Sequence, residues 1–274
     1  MGYVVLQKGL EAPSIEKMRA AFQGVPGLTP ADAAMMCKHS VGILARGLDR
    51  EQAQQIQGGL AAQGIETEIA EQSALPVLPP MRHVIRVECT PDALMIYDPI
   101  GRSFPLGWGD IMLVGAGLVE MIDFKRVSTP AVISPDPIRG TLGVVDQLLF
   151  KNTGMPILNV PRTAYSAPDY ETKEEHHPRW MAEIVIRGGG LRYNFEAGEA
   201  VAPLFMYLGE RRTVDVARNF QLLMQDIFQS APQAAVNRGA YYLREGNTTA
   251  FVYPSKNAFY DEMTWLLWQL NRGV

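Results

Sequence analysis

Cysteine is scarce in this chain: Cys37 and Cys89 are the only two among 274 residues. Two thiols cannot build a four-cysteine zinc site. Both lie in apolar surroundings, which points to buried free thiols in a reducing compartment rather than to a disulfide. Histidine is nearly as rare, and His39, His83, His176 and His177 limit acid–base schemes without removing the option of a carboxylate pair. No apolar run approaches the roughly 18 residues that a membrane helix needs. The amino terminus, Met1 to Lys8, lacks a basic region followed by an apolar stretch and a cleavage site, so the expected location is cytoplasmic. A stripe of basic residues interleaved with aromatics is also missing. The 25 Lys and Arg against 29 Asp and Glu leave a net charge of −4, so neither nucleic acid nor a membrane is an expected partner.

What is present is an α+β pattern in two parts. The chain exceeds the size of one typical domain, and its 47% apolar and 20% charged content is that of a folded protein rather than a disordered one. Residues 1–75 read as a small α/β sandwich module. Tyr3–Leu6 are β-formers, and Gly9 and Pro13 end that strand. Ser14 caps a helix carrying Ile15, Met18, Ala21 and Phe22, and Gly24 to Gly27 breaks it. Thr29 caps a second helix with Pro30 at its first position and Ala33, Met36 and Cys37 as its apolar face. A strand follows over Val41–Ala45. Asp49 caps a third helix with Ala53, Ile56, Leu60 and Ala61 inward and Gly64 at its end. Ile65–Ala70 alternates as a strand with one wet face. Residues 76–80, with Pro76, Pro79 and Pro80, form a stiff linker. On this reading the module satisfies its own apolar faces, and a fragment of residues 1–75 should fold alone.

The stretch Gly27-Leu28-Thr29-Pro30-Ala31-Asp32-Ala33, with Val41–Gly47, Asp49-Arg50-Glu51-Gln52-Ala53 and Leu60-Ala61-Ala62-Gln63-Gly64-Ile65-Glu66, resembles the C-terminal domain of the bacterial ribosomal stalk protein. That resemblance implies a protein-docking module. The family's factor-docking lysines correspond to Thr29 and Asp32, so translation-factor binding does not carry over.

From residue 81 to 274 the period changes to two. Arg82–Cys89 alternates, Thr90–Ala93 turns, and Leu94–Tyr97, Ser103–Trp108 and Ile111–Val119 supply further strands. Trp180–Arg187 and Leu191–Phe195 read as a hairpin joined by Gly188-Gly189-Gly190. Val201–Tyr207 is a seventh strand, and Thr213–Gln229 is a helix with Val216, Phe220, Leu223 and Ile227 on one stripe. This order, with Trp108-Gly109-Asp110-Ile111 between strands, resembles a pleckstrin-homology-like barrel. Its first turn, Thr90-Pro91-Asp92-Ala93, lacks the basic cluster of the lipid-binding members, so anionic vesicles should not bind. Two features exceed such a barrel. Residues 126–178 form a Pro- and Gly-rich insertion with one helix over Thr141–Phe150, either a docked flap or a mobile arm. Ser255 caps a C-terminal helix reaching Asn271, whose Phe259, Met263, Leu266, Leu267 and Leu270 share one face while Trp265 and Trp268 point elsewhere. Such a helix wants more than one neighbour. Its own chain is favoured over a homodimer contact.

Candidate chemistry is thin. Val114-Gly115-Ala116-Gly117-Leu118-Val119-Glu120 has two glycines of a dinucleotide fingerprint, but Glu120 holds the third position and no helix follows, so a bulged hairpin is the better reading. Glu174-Glu175-His176-His177 is the one local group of metal-ligand types, and a solvated loop explains it better. Cys37-Lys38-His39 places thiol and imidazole on different sides of a helix, and no Gly-x-Ser-x-Gly elbow is present. No metal or cofactor is therefore expected. Arg211 and Arg212, with Trp265 and Trp268, are the candidate binding residues, since guanidinium groups and indoles recur at interfaces. The expectation is a non-catalytic interaction protein with an unidentified protein partner. The alternative is a hydrolase or transferase using carboxylates and His176 or His177 beneath the insertion.

Overall fold

In a computed structural model, the structure describes residues 2–9, 11, 13–29, 31, 34, 36–37, 42–128, 170–188, 190–197, 202–247 and 251–272. Two compact units emerge: residues 1–121 with 177–274, and residues 122–176. The first holds every described helix and all three core clusters.

Its amino-terminal sheet has β1 (Tyr3–Gln7) between β2 (Ile43–Leu48) and β3 (Thr67–Glu71), antiparallel to both. The two described helices begin where the sequence places their caps. Ser14 accepts from the Lys17 amide to start α1 (Ile15–Phe22), and Asp49 with Gln52 forms a reciprocal capping box ahead of α2 (Arg50–Ala62). The second expected helix falls largely outside the described residues, although Cys37 is buried in the module's core. Strand alternation then divides the sheet. Val5 and Leu44 meet Met18, Phe22, Ile56 and Leu60 of the helices, whereas Val4, Leu6 and Ile43 face the other way, into a different cluster. The module therefore satisfies only one of its two sheet faces by itself. This removes the reason for expecting residues 1–75 to fold alone.

The rest of the unit holds two more sheets. A meander of β5 (Arg86–Cys89), β6 (Ala93–Tyr97) and β7 (Ser103–Gly107) is antiparallel throughout. The other sheet runs β11–β8–β9–β10–β4, with β12 also on β8; its members are β4 (Met81–His83), β8 (Ile111–Ser128), β9 (Tyr170–Ile186), β10 (Arg192–Ala197), β11 (Ala235–Val236) and β12 (Val252–Tyr253). The alternating run 82–89 is thus two strands. The Val84 amide bonds to Asn194 of the larger sheet and the Ile85 amide to Tyr97 of the meander, so the chain changes sheets between adjacent residues. Helices and mixed sheets together make the class α+β. None of the three sheets closes on itself among the described residues.

Three expectations are corrected. Residues 202–207 are not a strand: Ala202–Arg211 is 3₁₀-helical on either side of a kink at Gly209, with Leu204, Phe205 and Leu208 buried and Met206 exposed. Pro203 offers no N–H to a ladder, and burial at 204, 205 and 208 follows a helical period. The Gly115-Ala116-Gly117 segment is not a bulged hairpin but an uninterrupted part of β8. A Cβ on Gly115 would collide with the Met263 sulfur, and one on Gly117 would stand 2.6 Å from the Tyr253 ring, so these glycines admit neighbours directly onto the strand. The insertion assigned to residues 126–178 is strand at both ends, through Ser128 and from Tyr170. Its proposed helix over 141–150 lies outside the described residues.

Helix α3 (Val216–Ser230), capped by Asp215, presents Phe220, Leu223, Met224 and Ile227 to a core shared with both sheets. Helix α4 (Arg238–Arg244) follows β11. Helix α5 (Lys256–Arg272), started by Ser255, lies between the free face of the amino-terminal sheet and β8–β9, burying Phe259, Met263, Trp265, Leu266 and Leu267. Its neighbours are elements of its own chain, as its apolar faces demanded.

Candidate functional site

Of the four candidate binding residues, the indoles are engaged internally. Trp265 is 2% exposed and its Nε1 donates to the Gln7 carbonyl at 2.6 Å. The Nε1 of Trp268 donates to Glu68 at 2.6 Å, and Arg272 pairs with the same carboxylate. Arg211 grips Asp226 with two guanidinium nitrogens, at 3.0 and 2.6 Å. Arg212 is exposed, and its amide closes the turn at Gly209. The four are not brought together, and Trp265 in particular is core rather than surface. Glu174, Glu175, His176 and His177 lie on β9 and not on a loop, with only His177 among the described side chains, where it accepts from Arg179 at 3.1 Å.

The Arg211–Asp226 pair continues inward. Tyr207 donates to Asp226 at 2.8 Å, and Cys89 adjoins Tyr207. Burial pushes the Cys89 thiol up to about 12, against the weaker lowering effect of its bond with Tyr207. Burial also raises the Cys37 thiol. The Cys89 thiol therefore stays protonated at neutral pH. The expected outcome is that a thiol-reactive chromophore labels neither cysteine at neutral pH in the folded protein, and both in denaturant. Rapid native labelling of Cys89 would contradict this burial.

The most elaborate polar arrangement is one the sequence reading missed. Glu262 of α5 is fully buried and accepts from the Tyr253 hydroxyl and, at 3.0 Å, from the Arg238 amide. The Tyr253 oxygen accepts in turn from Asn237 Nδ2 at 2.8 Å and from the Gly239 amide at 3.1 Å. Asn237 Oδ1 accepts from Ala116 of β8 and Ala240 of α4, each at 2.9 Å. Arg238, 5% exposed, reaches Gln7 Oε1 at 2.9 Å and pairs with Glu262. Burial raises the Glu262 carboxyl, opposed chiefly by the Arg238 charge, and burial also drives the Tyr253 hydroxyl far upward. Every polar terminus finds a partner inside, so the network fixes β1, β8, α4, β12 and α5 against one another. A second buried cluster, in which Glu183 accepts from Arg192 and Asn194, links β9 and β10.

Against this brace stands an aromatic surface. Tyr241 is 43%, Tyr242 36% and Val252 41% exposed, with Phe251 half-buried between them. The rings form a file. Tyr241 meets Tyr242 edge-on at 6.0 Å, Tyr242 stacks on Phe251 at 6.1 Å and 15°, and Phe251 meets the buried Tyr253 at 4.7 Å. Arg244 lies over the Tyr241 ring at 5.4 Å. Two adjacent tyrosines on the short α4 were the available sequence signal. An acid at 262 within the apolar stripe of α5, one turn from Phe259 and Leu266, was the signal for the network beneath.

A cleft of about 510 Å³ opens beside β1, lined by Gln7, Lys8, Glu11, Ser14, Lys17 and Glu66 among others. Its charges are two of each sign, and Gln7 is already bonded on all sides used by its amide. No cluster of three or more metal-ligand types occurs among the described residues, and no described helix is long and apolar enough to cross a membrane. No family model matches the chain, and neither a curated protein nor a solved structure matches it.

Proposed function

We propose that this protein is a non-catalytic interaction protein that receives a protein partner on the aromatic face of Tyr241, Tyr242, Phe251 and Val252. The observation that carries the reading is the pairing of an exposed ring file with a fully satisfied buried network behind it. Tyrosine offers large contact area with little rotamer entropy to lose, and a rigid backing keeps that area in place before the partner arrives. The ionisable groups of the network are spent on one another and face no cleft, which suits bracing better than proton transfer.

Two further readings belong to the same proposal. Residues 1–75 are read as a stalk-protein-like docking module, supported by the strand–helix–strand–helix–strand order with β1 central. Residues 81–274 are read as a pleckstrin-homology-like domain, supported by the meander and the larger sheet sharing a core under α3. A cytoplasmic, protein-binding adaptor fits both.

The test is affinity purification from native lysate with the full chain and its Tyr241→Ala/Tyr242→Ala variant. Half-exposed side chains away from special features cost little stability, within about 0.5–1 kcal/mol for the pair. The variant is expected to keep its fold and lose the partners that the parent retains specifically. Identical partner sets from both proteins would remove the aromatic face from the account.

A further inference from the structure

We propose that the aromatic face takes an acidic segment of its partner, with one carboxylate held by Arg244 and an adjacent apolar side chain laid on the Tyr242–Phe251 pair. The inference rests on the docking face proposed above and names what that face selects. Arg244 ends α4, is exposed, and holds its guanidinium over the Tyr241 ring at 5.4 Å. The ring keeps the group in place through its π face and takes up none of the N–H donors in directional bonds. Among the described residues those donors meet no carboxylate or carbonyl, and the Tyr241 and Tyr242 hydroxyls have no hydrogen-bond partner either. The other cation at the file is already committed. Arg238 lies 6.0 Å from the Phe251 ring, but it is buried and engaged with Glu262 and Gln7.

A guanidinium fork and two hydroxyls set beside apolar rings suit a ligand that joins a negative acceptor to an apolar neighbour. Arg244, and not the exposed Glu245 that follows it, is the charge seated on the file. The chain as a whole carries −4, so long-range attraction does not gather acidic segments. Recognition is local instead, through a bidentate contact that an ammonium group at the same place cannot reproduce.

The experiment selects a random-decapeptide phage library on the full chain, with counter-selection on Tyr241→Ala/Tyr242→Ala. The expected consensus places Asp or Glu within two positions of a large apolar residue. Fluorescence anisotropy then compares the most enriched peptide with its amide counterpart, in which Asn or Gln replaces the acid. Arg244→Lys should weaken the acidic peptide by about tenfold, the size of one charge-assisted bidentate contact, and should bind the amide peptide as the parent does. A thermal midpoint like the parent's shows that the variant is folded. An uncharged or basic consensus, or parent-like binding of the acidic peptide to Arg244→Lys, would overturn the inference and leave the aromatic face standing. No enrichment over the double-alanine variant would count against the face itself, and the inference would fall with it.

Discussion

Replacing Glu262 with alanine is expected to destabilise the full chain by about 3–5 kcal/mol, because it removes the buried carboxylate that Arg238 and Tyr253 share. Arg238 would keep its Gln7 bond but lose its counter-charge, and its amide would lose its acceptor. The Tyr253 hydroxyl, which already accepts from Asn237 and Gly239, would have nowhere to donate. Glu262→Gln keeps an acceptor for that hydroxyl and should cost clearly less. Denaturant unfolding of the three proteins measures the order. A Glu262→Ala variant within about 0.5 kcal/mol of the parent, the range of ordinary surface substitutions, would mean that the network does not brace the fold.

Trp265→Ala carries the second large effect, about 3–5 kcal/mol for emptying a buried aromatic site. The indole fills the space between Gly42 and the α5 core and supplies the donor for the Gln7 carbonyl. Its loss should act unevenly. Amide hydrogen exchange is expected to rise most across β1, β2 and β3, whose second face depends on α5, and least in β5–β7 and α3, which pack in another cluster. Equal acceleration everywhere would contradict the division of the two clusters.

Local chemistry explains what could be read from the sequence. Ser14, Asp49 and Ser255 act through amides three residues away, so their helices were legible from a few adjacent letters. The helix expected from Thr213 starts at Val216 because Thr213 bonds to Asn219 and Asp215 takes over the cap. Non-local contacts were not legible. The glycines of β8 are explained by Met263 and Tyr253, more than a hundred residues on, and the second face of the amino-terminal sheet by a helix at the other end of the chain. The same applies to the site. Trp265 and Trp268 look alike as letters in one helix, yet one is core and the other rim. Tyr241 and Tyr242 acquire meaning only when Phe251 and Val252 arrive beside them through β12.

Site-specific photo-crosslinking tests the central claim most directly. A benzophenone amino acid placed at Tyr242 of the full chain, and separately at the exposed Arg50 in the first turn of α2, would be irradiated in native lysate. The account predicts a discrete protein adduct from position 242 that position 50 does not give. No adduct at 242, or equal adducts at both positions, would contradict it.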